Sequence, residues 1–151
     1  LFTDYRPLVD TDVLIAYLNR RAYRSYLESP RYRVYYSAIT KKELLSKRGL
    51  KTLERQAIIA LLRRFRLVPI DQRVTNEYSR IRSLYPSLAR ADALIGATAL
   101  ARKLPVLTLN LRHFRLIQGL VLLPVEIPRS GHEEVADIDR VISVQVICNA
   151  I

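Results

Sequence analysis

Residues 91–108 read ADALIGATALARKLPVLT. The segment 91–102 is apolar nearly all the way round a helical wheel, the pattern of a helix buried among other elements rather than of one lying on a surface. Lys103 and Pro105 interrupt it, and PVLT (105–108) follows as a short apolar run of strand length. Working outward, the same alternation recurs. Short apolar runs stand at 7–10 (PLVD), 33–37 (RVYYS), 66–70 (RLVPI) and 120–124 (LVLLP), separated by stretches of helical period at 12–19, 21–28, 41–48, 51–64 and 73–85. Strands alternating with helices predict βαβ units, hence an α/β domain with a central, mostly parallel sheet of roughly four to five strands flanked by helices.

The chain has 151 residues, half of them hydrophobic and 26% charged, enough to bury a core as one domain. Lysine and arginine number 25 against 14 acids, a formal charge of +11 that calls for a polyanionic or acidic partner, nucleic acid first. A single cysteine, Cys148, forms no intramolecular disulfide, and no Cys or His pair has zinc-ligand spacing. No signal-peptide pattern and no apolar run of membrane-spanning length is present, so a soluble protein of a reducing cytoplasm is expected. Methionine is missing even at position 1, which implies a trimmed or altered start.

Most carboxylates, Glu28, Glu54, Asp71 and Glu77 among them, have polar neighbours and read as parts of a solvated face. Three do not. Asp10 ends PLVD and opens VLIAYL, Glu43 lies between YYSAIT and LL, and Asp92 heads the buried helix. Each has a plain reading as a helix cap. Asp10 and Asp12 sit where an N-cap belongs, Thr40-Lys-Lys-Glu43 has the spacing of a capping box, and Asp92 suits the dipole of a first turn. Taken together, a second reading opens. Helices that follow parallel strands start at one shared edge of the sheet, where open α/β sheets bind their ligands, so Asp10 and Glu43 are expected at a common cleft. Carboxylates gathered there repel one another unless a hard divalent cation joins them, and oxygen ligands favour Mg²⁺ or Mn²⁺.

The succession VDTDVLI, SAITKKELL, ADALIGATAL and VLTLNLRHF, from about Pro7 to about Glu126, resembles the PIN-domain ribonucleases, most closely the VapC-type toxins of bacterial toxin–antitoxin pairs. The resemblance implies a PIN-like three-layer fold over residues 1–127, with 128–151 as a C-terminal extension. It also implies metal-dependent hydrolysis of RNA phosphodiester bonds, with Asp10, Glu43 and Asp92 as catalytic and metal-binding acids. Asp12, Thr40, Thr108, Asn110 and His113 fall in supporting positions. Asn110 and His113 stand where relatives often carry aspartate, a departure that bears on a second metal ion. A homodimer and an acidic antitoxin partner are further implications of the family.

Residues 20–36, RRAYRSYLESPRYRVYY, interleave arginine with tyrosine, and Lys41, Lys42, Lys47, Arg48, Lys51, Arg55, Arg63, Arg64 and Arg66 extend the basic character. Arginine grips phosphate and tyrosine offers a stacking face, a combination suited to single-stranded RNA. Arg20, Arg21, Arg24, Lys41 and Lys42 are the expected RNA contacts. Tyr23, Tyr26 and Leu27 also fit the covered stripe of an amphipathic helix. An acidic antitoxin would use the same charge.

Two other classes compete. Asp10-Thr-Asp12 after an apolar strand also resembles the aspartyl-phosphate phosphatases of the haloacid dehalogenase class, which need a late aspartate pair near glycine that does not follow Asp92 in the body. A binding module with a degenerate site is the other, motivated by Asn110 and His113. The extension holds Glu133, Glu134, Asp137 and Asp139 against Arg129 and Arg140, then VISVQVI. Its expected role is an inert appendage, with self-inhibition at the basic body as the alternative.

Overall fold

A computed structural model of the chain describes residues 5–125. The elements run β1 (Leu8–Val9), α1 (Thr11–Arg20), α2 (Arg24–Leu27), β2 (Tyr35–Ser37), α3 (Ala38–Leu45), α4 (Thr52–Leu62), β3 (Arg66–Val68), α5 (Gln72–Leu84), α6 (Arg90–Arg102), β4 (Val106–Thr108), α7 (Leu111–Phe114) and β5 (Leu122–Pro124). The strands form one five-stranded sheet in the order β3-β2-β1-β4-β5. Every pairing is parallel, so each connection crosses from one end of the sheet to the other.

β1 is two residues long and central, with Leu8 opposite Tyr35 and Val106, and Val9 opposite Leu107. Successive strand side chains point to opposite faces, and both are wholly buried here. Val9 joins a core with Leu14, Leu44, Ile58 and Leu61, from α1, α3 and α4. Leu8 joins one with Val74, Ile81, Ile95 and Phe114, from α5, α6 and α7. Two helical layers thus enclose the sheet, as the alternation of runs predicted.

α6 has the central placement that its composition demanded. Gly96 explains how closely it packs, since a Cβ there would lie 2.6 Å from Ile117 Cδ1.

Several local expectations are corrected. The helix expected at 41–48 starts at Ala38, because Ser37 caps it by accepting from the Ile39 N–H at 3.2 Å. Thr40 and Glu43 therefore belong to the helix body and form no capping box. The helix expected at 21–28 contracts to Arg24–Leu27, since Arg21 and Tyr23 take left-handed backbone conformations with φ of 52° and 65°. Tyr23 and Leu27 are buried, as an amphipathic stripe requires. α7 is an added element, too short for any periodicity to announce. Glu54, read as solvated, is only 3% exposed. The extension 128–151 lies outside the described residues. Among the described residues, no helix is long and apolar enough to cross a membrane.

Candidate active site

Parallel strands and their following helices bring the ends of β1, β2 and β4 to one edge, and the acids collect there. Asp10 leaves β1 and caps α1. Its Oδ1 accepts from the Thr11 N–H at 2.8 Å, and its Oδ2 accepts from the Thr108 hydroxyl at 2.8 Å. Thr108 Oγ1 in turn accepts from the Asn110 N–H at 2.9 Å, so the end of β4 fixes the carboxylate from below. Asp10 is 3% exposed. Burial first, then the charges of Asp12 and Asp92, push its carboxyl up to about 7, against the lowering effect of the Thr108 and Thr11 hydrogen bonds.

Thr11 ties the first acid to the second. Its hydroxyl donates to Glu43 Oε1 at 3.3 Å and lies 3.0 Å from the Thr40 hydroxyl. A hydroxyl has one proton, so with Thr11 donating to Glu43 the Thr40 hydroxyl must donate to Thr11. The relay Thr40 to Thr11 to Glu43 ties the glutamate, in the body of α3, to the start of α1. Burial raises the Glu43 carboxyl, Thr11 opposes the rise, and Asp92 and Asp12 add to it. Asp12 is raised as well, by burial and Asp92, with His113 acting the other way.

Asp92, in the first turn of α6, completes the group. His113 Nδ1 lies 3.1 Å from Asp92 Oδ2 and 2.7 Å from the Asn110 side-chain amide. An Nδ1 proton directed at Asp92 requires Asn110 to present its carbonyl oxygen to the imidazole rather than its NH₂. Asn110 and His113, at the start of α7, thereby hold Asp92.

Asp10, Asp12, Glu43 and Asp92 are close enough to feel one another electrostatically, with Thr40, Thr108, Asn110 and His113 all in contact with them or with their partners. Thr11 was missed by sequence reasoning. Its only signal is its place between two acids. Ser37 was missed too; it is fully buried, and its hydroxyl lies 3.4 Å from that of Thr98 in α6. The basic residues divide. Lys41 and Lys42 are exposed on the first turns of α3, beside Glu43. Arg20 ends α1, about 15 Å of helix away from Asp10, and Arg21 and Arg24 follow it. Arg21 is engaged there by Glu28 at 2.7 Å.

The donor set fits a hard divalent cation. The carboxyls of Asp10, Asp12 and Glu43 are raised, Asp92 adds its charge to theirs with the His113 imidazole beside it, and all four acids offer oxygen. Among the described residues, no group of three or more His, Cys, Asp or Glu side chains is placed to hold a metal ion. Mg²⁺ needs no such group, since it keeps several waters and is commonly held by one or two carboxylates.

The PIN domain family pattern matches residues 8–119. The chain belongs to the PIN-domain family. The match embraces all four acids and ends before β5. Ribonuclease VapC10 of Mycobacterium tuberculosis is 36% identical over 120 residues, covering 75% of this chain and 89% of that protein. A toxin–antitoxin complex from Klebsiella pneumoniae is similar with a TM-score of 0.63 at 30% identity, over 76% of this PIN protein and 95% of that chain. VapBC2 from Rickettsia felis, bound to a DNA fragment from its promoter, has a TM-score of 0.70 over 80% of this chain and 99% of that one; at 19% identity it speaks for the fold alone.

Proposed function

We propose that this PIN domain is a metal-dependent endoribonuclease, the toxin of a toxin–antitoxin pair. The observation that carries the reading is the buried Asp10 carboxyl, held by Thr108 and Thr11 and facing Asp12, Glu43 and Asp92 across one edge of the sheet. The similarity to Ribonuclease VapC10 points to RNA as substrate.

Asp10 and Asp92 would hold the cation, with Glu43 beside them. When bound, Mg²⁺ or Mn²⁺ stabilises charge on the phosphoryl oxygens and makes the attacking water more acidic. Thr108 keeps one oxygen of Asp10 occupied, so the carboxylate has a fixed orientation toward the cleft. Glu43, held by Thr11, is placed to orient the water and accept its proton. Asn110 and His113 set the position of Asp92. Lys41 and Lys42 meet the RNA backbone next to the acids. A partner protein with acidic character, of the antitoxin kind found with the Klebsiella relative, is the expected regulator.

The deciding experiment is cleavage of a mixed RNA pool by the purified chain in EDTA, then with Mg²⁺ or Mn²⁺ restored. Cleavage that returns with the ion and is absent in Asp10→Asn and Asp92→Asn supports the reading. RNA retained through both treatments, with no cut in either, favours a binding module whose site is degenerate, the alternative that Asn110 and His113 motivate.

A further inference from the structure

The edge of the sheet away from the acids carries a site of its own. The residues entering β2 and β3 and those leaving α2 enclose a cleft of about 320 Å³, lined in part by Glu28, Tyr32, Arg33, Arg64, Phe65 and Arg66. Because β2 and β3 are parallel to β1, their amino ends lie opposite the edge that holds Asp10 and Glu43. Glu28 is the acid of this lining, and its charge is already met: the Tyr17 hydroxyl donates to it at 2.6 Å and Arg21 at 2.7 Å. Those contacts hold its carboxyl below the usual range, so it remains an anion locked to its partners. Arg64 also acts on Glu28 through its charge, whereas among the described residues no acid of the lining pairs with Arg66. Arg64 is oriented by donating to the Tyr17 hydroxyl at 3.3 Å and by lying 5.9 Å from the centre of the Phe65 ring. Arg66 is exposed on edge strand β3.

A second observation stands beside the charge. Tyr32, in the wall of the cleft, stacks on Tyr5 with ring centres 5.2 Å apart and planes 22° from parallel, and meets Tyr26 edge-on at 5.4 Å. Tyr5 is 45% exposed, so the stack reaches solvent at this residue. The backbone holds it there, with the Tyr5 N–H donating to Arg31 O and the Arg33 N–H donating to Tyr5 O. A cleft that carries guanidinium groups and continues through Tyr32 into a partly exposed tyrosine stack suits an unpaired nucleotide, since phosphate takes the charge and the base takes the ring. An acidic peptide has use for the first and none for the second.

We propose that this cleft and the tyrosine stack form a second binding site for single-stranded RNA, engaging a segment of the strand remote from the bond that is cut. The proposal rests on the ribonuclease reading for its substrate class. It assigns Arg64 and Arg66 to phosphate and Tyr5 to a base. Arg20, Arg21 and Arg24, stranded at this end of α1, then flank a nucleic-acid path rather than the acids.

The test uses the full chain carrying Asp10→Asn, which keeps RNA intact, and fluorescence anisotropy with labelled single-stranded RNAs from about 4 to about 16 nucleotides, the size range of single-strand sites. Affinity is expected to rise at the longer lengths. Tyr5→Ala and Arg66→Glu each remove that rise, weakening the longest RNA roughly ten-fold while the shortest binds as before. Tyr5→Phe, which retains the ring, binds every length like its parent. Thermal melts of each variant accompany the titrations, and Arg66→Ala serves if the charge reversal lowers the melting temperature.

Unchanged affinity for the longest RNA in these variants overturns the site. An equal loss at every length also overturns it, because it reports overall charge and not a separate contact. Polyglutamate bound in an Arg66-dependent manner, with RNA indifferent to Arg66, assigns the cleft to an acidic protein instead. The two readings fail separately. A length-dependent contribution from Tyr5 in a chain that never cuts RNA leaves the site and removes the nuclease; metal-dependent cleavage with no such contribution does the reverse.

Discussion

Asp10 caps a helix and lines the cleft with the same carboxylate, and the two tasks ask for opposite things. Capping favours the anion; burial beside Asp12 and Asp92 disfavours it, and burial wins, raising the carboxyl to about 7 from its ordinary 3.8. A carboxyl raised in the folded state binds more protons there than in the unfolded chain between those values. Without divalent cation, stability therefore falls as pH rises from about 4 to about 7, by a few kcal/mol at most. Asp10→Asn makes this slope shallower, leaving the contributions of Asp12 and Glu43. Melts from pH 4 to 8 in EDTA check it, and a wild-type curve flat across that range would contradict the burial argument. Mn²⁺ is expected to raise the wild-type melting temperature above pH 7 and leave Asp10→Asn nearly unmoved, because an ion that binds only the folded site stabilises it by mass action.

Asn110 and His113 carry the second prediction. Asn110→Asp, or His113→Asp, adds a carboxylate beside Asp92 and is expected to tighten Mn²⁺ binding several-fold by calorimetry. Unchanged titrations for both would place the α7 loop outside the metal site. Asp10, Glu43 and Asp92 were legible in the sequence because each acid interrupts an apolar context. Thr11 was not, since a threonine that starts a helix looks the same whether or not it reaches a residue far along the chain. Glu54 had a signal that was passed over: it falls in helical register with Ile58, Leu61 and Leu62, the buried face of α4.

At the scale of elements, the start of α3 shows where pattern and structure part. Thr40-Lys-Lys-Glu43 has the full spacing of a capping box, whereas Ser37 has no acid three residues on. The sheet decides, because β2 ends at Ser37 and the chain turns there. Ser37→Ala removes the cap of α3 and the buried partner of Thr98, which keeps its bond to Leu94 O at 2.7 Å. A loss of about 1–2 kcal/mol is expected in urea unfolding, with metal dependence of cleavage retained. Unaltered stability would mean that Thr40 or water supplies the cap. The five strands were readable because parallel strands are covered on both faces and leave unbroken apolar runs. α2 and α7, of four residues each, lie below the length at which helical period can be read.

At the scale of the molecule, the basic residues of the described part do not gather on one edge: Lys41 and Lys42 lie beside the acids, whereas Arg21, Arg24, Arg64 and Arg66 lie at the opposite end. Association with an acidic partner is expected to weaken steeply as salt rises from 50 to 500 mM, about the range over which the Debye length contracts below 10 Å. Binding by calorimetry that ignores salt would exclude an electrostatic interface. A chain ending at Glu126 tests the extension: faster cleavage at low salt than the full chain shows means that the acidic tail shields the basic body, and equal rates leave it inert.

The central strand has one more implication. Asp10 receives its hydrogen bond from Thr108, and β1 has β4 as its neighbour, 98 positions later between those two residues. A ribosome delivers the chain from its amino end, so the first acid emerges early and waits for its support until nearly the whole domain has been made. A truncated or stalled product that ends before Pro105 holds Asp10, Glu43 and Asp92 yet lacks the strand that fixes the first of them. The support of Asp10 is therefore the last part of the acid cluster to be made, and the cluster is complete only once β4 has followed α6.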